Sequence, residues 1–449
     1  MKRGISRRNL MQTSAAIGAG YWVAGGIEPR PSIAASEQIN FASVGIDGKG
    51  SSDSADAGSN GNMVAICDID EGRLEKKAEK WPNAKKYFDF RKMLEENEKS
   101  IDAVTVSTPD HCHAVIAAAA MRMGKHCFCQ KPLTKTIYEA RYLGTLAREK
   151  KVATQMGNQG TANNPLREAA AIIKSGAMGE IKQVHVWTNR PVWPQGKGHI
   201  VKEEANPPAG IHWAEFIGPA KNRLYSAEIH PFKWRGFWDF GTGALGDMAC
   251  HTLNMPFMGL NLRDPLSIQA NTDGHDGITF PKWSEITFEY PELNGRAAVQ
   301  LKWYDGGKRP DVSLFPADTF NDKNKLSASG ALIVGTKGSL YAPGDYAENK
   351  LQPFGFEIPK VEYPKSPGHF KEWVDAIKGG PQAMSNFPDY AGPLTETILL
   401  GNLAVWVATE AGVPGKKVEW DAKNLLPKNA PEAMPLVKYD YNNGYKLEG

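Results

Sequence analysis

Asp247 and His251 stand four residues apart behind a glycine-rich stretch, Gly241-Thr242-Gly243-Ala244-Leu245-Gly246, so on a helix they share one face. A histidine titrating near neutrality is suited to take a hydroxyl proton, and an aspartate beside it can orient the ring or hold an adjacent hydroxyl. Lys131, within Gln130-Lys131-Pro132, brings positive charge to the place where an alkoxide develops. The three together fit oxidation of a secondary alcohol, in which a base takes the proton while hydride leaves from carbon. Singly, an Asp and a His at this spacing read as a surface pair, and Lys131 reads as a solvated lysine.

Hydride needs a carrier, and Gly45-Ile46-Asp47-Gly48-Lys49-Gly50 is an imperfect dinucleotide-binding turn. Gly45 makes the tight turn, Gly50 permits close helix packing, and the following helix N-terminus holds a pyrophosphate. Asp47 stands where a middle glycine lets the pyrophosphate approach, and its carboxylate adds repulsion; Gly48 and Lys49 are expected to compensate. Asp68, 23 positions after Gly45 at the end of the next predicted strand, can accept from both ribose hydroxyls and repels a 2′-phosphate. NAD is therefore favoured over NADP.

These residues need elements to hold them. Apolar strands over 39–46, 63–67, 101–107, 126–129 and 152–156 alternate with helical patterns over 71–80, 113–123 and 137–150. That alternation predicts an α/β fold with a parallel, doubly wound sheet, a Rossmann domain over 36–160. A helix over 165–175 leads into 181–187, and strands over 266–271, 285–290, 297–304, 331–334 and 338–341 follow with few helices between them. Such runs predict a mainly antiparallel sheet in a second domain over 161–449, with helices over 370–378 and 394–410 packing on one domain or the other. Between Arg190 and Gly241 lies a long segment rich in Pro, Gly and aromatic residues. Within it Arg190, Trp193, Tyr225, His230, Trp234 and Arg235 are candidates to line a sugar pocket, although any one of them can equally be packing.

Three motifs carry a family resemblance: Ser107-Thr108-Pro109-Asp110-His111, Gln130-Lys131-Pro132, and Gly241 to His251. In this order, across about residues 39–410, they resemble the glucose-fructose oxidoreductase, inositol dehydrogenase and rhizopine-catabolism superfamily. The resemblance implies a Rossmann domain followed by an α/β domain whose large open antiparallel sheet often builds dimers or tetramers. It places Lys131 beside the nicotinamide and the substrate hydroxyl, with Thr108, Pro109, His111, Gln130 and Gln159 around the cofactor. It also matches the Asp-x-x-x-His pair to Asp247 and His251. Where the superfamily has Glu-Lys-Pro this chain has Gln130, one negative charge fewer beside Lys131. Asn158 and Gln159, after the fifth strand, touch the nicotinamide or substrate in this reading; otherwise they are a polar helix cap.

The balance of 53 Lys+Arg against 50 Asp+Glu gives +3. Lys2, Arg3, Arg7, Arg8 and Arg30 against Glu28 give the first 35 residues +4, so the remainder carries −1 and has no footprint for a nucleic-acid backbone. Ser6-Arg7-Arg8-Asn9-Leu10-Met11-Gln12 before an apolar run resembles a twin-arginine signal over 1–35, which implies export of the folded, cofactor-loaded protein to the periplasm. Five cysteines are an odd number at irregular spacings, and His111-Cys112-His113 with His126-Cys127-Phe128-Cys129 lacks paired CxxC spacing, so neither disulfides nor a metal site is expected. Three readings follow. The first is an exported NAD-dependent oxidoreductase of a sugar or polyol, with its cofactor retained. The second is a glycosidase using the same site by transient oxidation and elimination, and the third a non-catalytic sugar-binding protein.

Overall fold

The computed structural model describes residues 38–293, 295–317, 319–320 and 325–448. The arginine-rich leader expected over 1–35 lies outside the described residues. The first part runs β1 (Ile39–Val44), α1 (Lys49–Asn60), β2 (Gly61–Cys67), α2 (Glu71–Ala78), β3 (Lys85–Tyr87), α3 (Phe90–Glu96), β4 (Ala103–Val106), α4 (Asp110–Arg122), β5 (His126–Cys129), α5 (Ile137–Lys150) and β6 (Thr154–Met156). The strands form one parallel sheet of order β3-β2-β1-β4-β5-β6. β4 and β5 are buried along their whole length, as strands covered by helices on both faces must be. α5 starts at a capping box: Thr136 N–H donates to Glu139 Oε2 at 2.9 Å while the Thr136 hydroxyl accepts from Glu139 N–H. Strand order reverses between β1 and β4, and a crevice opens above their carboxyl ends. The polar three-residue β3 and the short α3 carry no usable periodicity and were not legible in the sequence.

The second part begins with α6 (Asn164–Lys174), β7 (Ile181–Trp187), α7 (Trp213–Ile217), α8 (Gly243–Thr252) and α9 (Asn254–Leu260). It continues through β8 (Ser267–Thr272), β9 (Ser284–Tyr290), β10 (Val299–Tyr304), β11 (Gly330–Gly335), β12 (Ser339–Pro343), β13 (Gln352–Phe354), α10 (His369–Ile377), α11 (Gly392–Trp406), β14 (Val418–Asp421) and β15 (Leu426–Pro427). Its nine strands lie in the order β13-β12-β11-β7-β10-β9-β8-β14-β15. All neighbours are antiparallel except the central pair β7 and β10. β9 alternates buried and half-buried residues, the pattern of a sheet with one covered face. That face packs on α8 and α11 through Ile286, Phe288, Leu245 and Leu403.

The C-terminal half returns to the first sheet. Phe370 and Trp373 of α10 pack on Phe41 of β1 and Phe128 of β5, and Trp373 Nε1–H donates to the Ala153 carbonyl at 3.0 Å. The last residues form a strap along α5 and α3. Tyr441 donates to Glu139 Oε1 at 2.7 Å, and the Arg91 guanidinium lies over the Tyr445 ring at 4.6 Å.

Candidate active site

The turn after β1 is set by close backbone approach. Gly45 has φ +75°, and a Cβ there would lie 2.5 Å from the Ser107 carbonyl oxygen. A Cβ on Gly50 would lie 2.0 Å from the Gly45 oxygen, so α1 can start against the turn only with glycine at 50. Gly48, the N-cap of α1, has φ +56° and supplies no side-chain cap, and a Cβ there would meet nothing within 4 Å. The helix start thus faces open space, as a phosphate cradle requires. Asp47 is matched by Arg73, whose Nε lies 3.3 Å from its carboxylate. Asp68 accepts from Ile46 N–H at 3.0 Å and Asp70 N–H at 3.1 Å; burial raises its pKa against those bonds and Arg73.

A buried carboxylate that sequence reading missed ties this turn to the catalytic end. Asp53 of α1 accepts from Lys49 Nζ at 2.5 Å on one oxygen. Its other oxygen accepts from Ser107 Oγ and from Gln130 Nε2, both at 2.8 Å. Gln130 Oε1 in turn accepts from Lys131 N–H at 3.3 Å. The amide donates to Asp53 and accepts from Lys131 at once, which an ionised carboxylate at this position could not do.

Lys131 leaves the end of β5 and reaches α8, where its Nζ donates to Asp247 Oδ1 at 2.8 Å and to the Asp247 carbonyl at 2.7 Å. A glycine at 246 leaves room for the N-cap of α8: a Cβ there would lie 2.0 Å from Thr242 Oγ1, which donates to buried Asp110 at 2.7 Å and ties the helix start to α4. Arg235 Nε and Arg190 Nε stand 3.6 and 3.8 Å from the Asp247 oxygens. Burial pushes the Asp247 carboxyl up, but Lys131 and Arg235 outweigh it and hold the group below its ordinary value. His251 is 4% exposed, and burial, reinforced by Lys131, holds its imidazole well below the ordinary histidine value. It is a neutral ring rather than one titrating near neutrality as the sequence suggested. Asp247 bonds Lys131, not His251. The His251 Nδ1 has no hydrogen-bond partner among the described residues, and its ring meets Tyr346 edge-on at 4.8 Å.

Gly45, Asp47, Gly48, Lys49, Asp68, Thr108, Pro109, Gln130, Lys131, Gln159, Arg190, Trp193, His230, Trp234, Arg235, Asp247 and His251 all line one cavity of about 540 Å³. Gly50 lies behind the turn and acts through packing. Besides Gly50, three expected residues, His111, Tyr225 and Asn158, are not on the cavity wall. His111 is buried in α4 with Nε2 2.8 Å from the Phe216 carbonyl, because the first turn of α4 points it at the second domain. Tyr225 packs edge-on against Trp213. His230 lines the cavity but is neutral, its pKa lowered to about 4 by burial. Asn158 lies beneath the floor and accepts from Ser385 Oγ at 2.5 Å. The five cysteines are buried and form no disulfide.

Beyond Asp68 the cavity is walled by Phe88, Phe90, Cys112, Phe216 and Tyr445. The long segment after β7 supplies part of this wall by docking onto α2: Glu71 N–H donates to Gly210 O and His212 N–H to Ile69 O, each at 2.9 Å. The His212 ring stacks on Phe88 at 3.8 Å. The strap is pinned to the same segment, Asn443 Nδ2 donating to Gly218 O at 2.8 Å and Ala220 O at 3.0 Å. None of these contacts had a sequence signal, since each joins segments far apart in the chain.

The pattern of an oxidoreductase family with an NAD-binding Rossmann fold matches residues 39–158, and that of the family's C-terminal α/β domain matches residues 163–300. Inositol 2-dehydrogenase of Salmonella paratyphi B is 30% identical over 125 residues, 27% of this chain and 37% of that protein. Levoglucosan dehydrogenase of Pseudarthrobacter phenanthrenivorans is 26% identical over 168 residues, 37% of this chain and 34% of that protein. The matched stretches thus span little more than a third of these relatives. The structure of the WlbA dehydrogenase from Bordetella pertussis, in complex with NADH and UDP-GlcNAcA, superposes with a TM-score of 0.58 at 18% identity, covering 84% of this chain and 98% of that one.

Proposed function

The chain belongs to the Gfo/Idh/MocA family of oxidoreductases, and from that premise we propose that it is an NAD-dependent dehydrogenase of a secondary hydroxyl on a sugar or polyol. One observation carries the reading: Lys131, paired with Asp247 at 2.8 Å, and neutral His251 share a single cavity with the glycine turn and Asp68. Gly45, Gly48 and the start of α1 hold the pyrophosphate, and Asp68 the adenosine ribose, which favours NAD over NADP. The nicotinamide supplies the hydride acceptor or donor.

The remaining chemistry belongs to the side chains. His251, kept neutral by burial, has a lone pair available and takes the hydroxyl proton. Lys131 stabilises negative charge on the substrate oxygen, and Asp247, bonding Nζ twice over, fixes where the ammonium stands. Tyr346, edge-on against His251, sets the tilt of the ring.

We further propose that the cofactor is retained between turnovers and that the protein is exported by the twin-arginine route. The strap and the 210–220 segment, joined through Asn443 and lining the cavity with Phe216 and Tyr445, support retention. Arg7 and Arg8 before an apolar run support export. Retention predicts a redox cycle run by two successive sugars with ping-pong kinetics. The test is mass spectrometry of the small molecule released on denaturing the purified protein, followed by turnover with paired sugars. Near-stoichiometric NAD and turnover without added nucleotide are expected; a protein that neither carries nor binds NAD sinks the reading.

A further inference from the structure

The two arginines above Asp247 are half-buried, cavity-lining side chains held by few protein hydrogen bonds. Arg167, deeper in the fold, is closed by protein acceptors, donating to Thr161 O, Pro364 O and Glu372. At the cavity the pattern differs. Arg235 donates one N–H to Phe232 O at 3.1 Å, and Arg190 donates one to Asn189 Oδ1. Arg235 stands 3.6 Å from Asp247 Oδ1, which Lys131 already bonds, and Arg190 3.8 Å from Oδ2, both beyond hydrogen-bond length. The other guanidinium N–H groups have no hydrogen-bond acceptor among the described residues.

Position and charge also fit a ligand. The Arg235 guanidinium lies over the Trp234 ring at 4.2 Å and the Phe232 ring at 4.6 Å, which fixes its plane before any ligand arrives. At this end of the cavity Lys131, Arg190 and Arg235 stand with Asp247, Asp345 and buried Asp110, while burial keeps His230 and His251 neutral. A carboxylate on the ligand gives Arg190 and Arg235 the close acceptor that Asp247, at 3.6 and 3.8 Å, does not.

We infer that the substrate is a sugar acid, whose carboxylate bridges Arg190 and Arg235 while the hydroxyl to be oxidised meets Lys131 and His251. This rests on the dehydrogenase reading and narrows its substrate class. A planar carboxylate matches a guanidinium fork bidentately, so two forks fix the acid end and thereby select which hydroxyl reaches His251.

The test is calorimetric titration of the NAD-loaded protein, its nucleotide content verified by mass spectrometry, with D-gluconate, D-glucuronate and D-galacturonate. D-glucitol, D-glucose and D-galactose are the neutral counterparts, and D-glucose 6-phosphate is the phosphate arm. At least one acid is expected to bind about tenfold more tightly than its counterpart, and R190Q and R235Q each to collapse that difference. Neutral sugars binding as tightly as the acids, the phosphate binding more tightly, or no acid binding at millimolar concentration overturns the inference. A protein that cannot be loaded with NAD instead fails the dehydrogenase reading.

Discussion

Gln130 donates its side-chain amide to the buried carboxylate of Asp53 at 2.8 Å, at the position where the superfamily has glutamate. The missing charge beside Lys131 is thus not missing from the site. It is supplied from α1 by Asp53, which also collects Lys49 and Ser107. The consequence is a specific intolerance. Gln130→Glu sets two carboxylates within hydrogen-bond distance in a buried place, a loss of about 1–3 kcal/mol. One of the pair must then protonate, its pKa raised, so the destabilisation is smaller at pH 5 than at pH 8. Thermal unfolding of the variant at both pH values checks this, and an equal loss at each would refute the Asp53 contact.

His251→Asn should lower kcat/KM by about 10²–10⁴ with the fold retained, the range for loss of a general base. Because burial holds the imidazole well below 6.5, the wild-type rate should also stay level as pH falls through 6.5. A rate that halves near pH 6.5 would mean the ring titrates as an exposed histidine does.

The same shift bears on stability. The unfolded chain takes a proton on this histidine near pH 6.5, and the folded chain only at much lower pH, so protonation favours unfolding and stability is lost as pH drops below 6.5. His251→Gln removes that share, so the variant should lose less Tm than wild type between pH 7 and pH 5. Identical slopes would place the imidazole in water.

Arg73 offsets the Asp47 carboxylate in the glycine turn. Arg73→Met should weaken NAD binding by about tenfold, because Asp47 is left facing the pyrophosphate. Asp47→Gly in the same background should recover most of the loss, since the exposed pair itself contributes at most about 1 kcal/mol. Titrating apo forms of all four proteins closes the cycle; additive effects would show that the two residues act separately.

Asn443 pins the strap through two hydrogen bonds worth about 1 kcal/mol each. Asn443→Ala should raise the NAD release rate about 5- to 30-fold without changing the rate of hydride transfer in a single turnover. Stopped-flow displacement of bound NADH gives the first number and burst kinetics the second. Unchanged release would mean the strap does not hold the nucleotide in.

The sequence alone determined the chain's periodicities and short-range motifs. Alternating apolar strands and helices announced the first sheet, because burial on both faces writes a local pattern. Gly45, Gly50, Asp247 and His251 were legible because turn and helix geometry act over a few residues, and Lys131 through the Gln130-Lys131-Pro132 motif of the family resemblance. Tertiary structure decided what those residues bond. The Lys131–Asp247 pair spans 116 positions, the Gln130–Asp53 contact 77, and the strap reaches its partner across 225. Pairing at such separations leaves no periodic trace, since any of many carboxylates or amides of suitable type satisfies the local sequence equally well. The depressed pKa of His251 is likewise a property of what surrounds it, and the identity of its neighbours in sequence gave no measure of the water excluded from its ring.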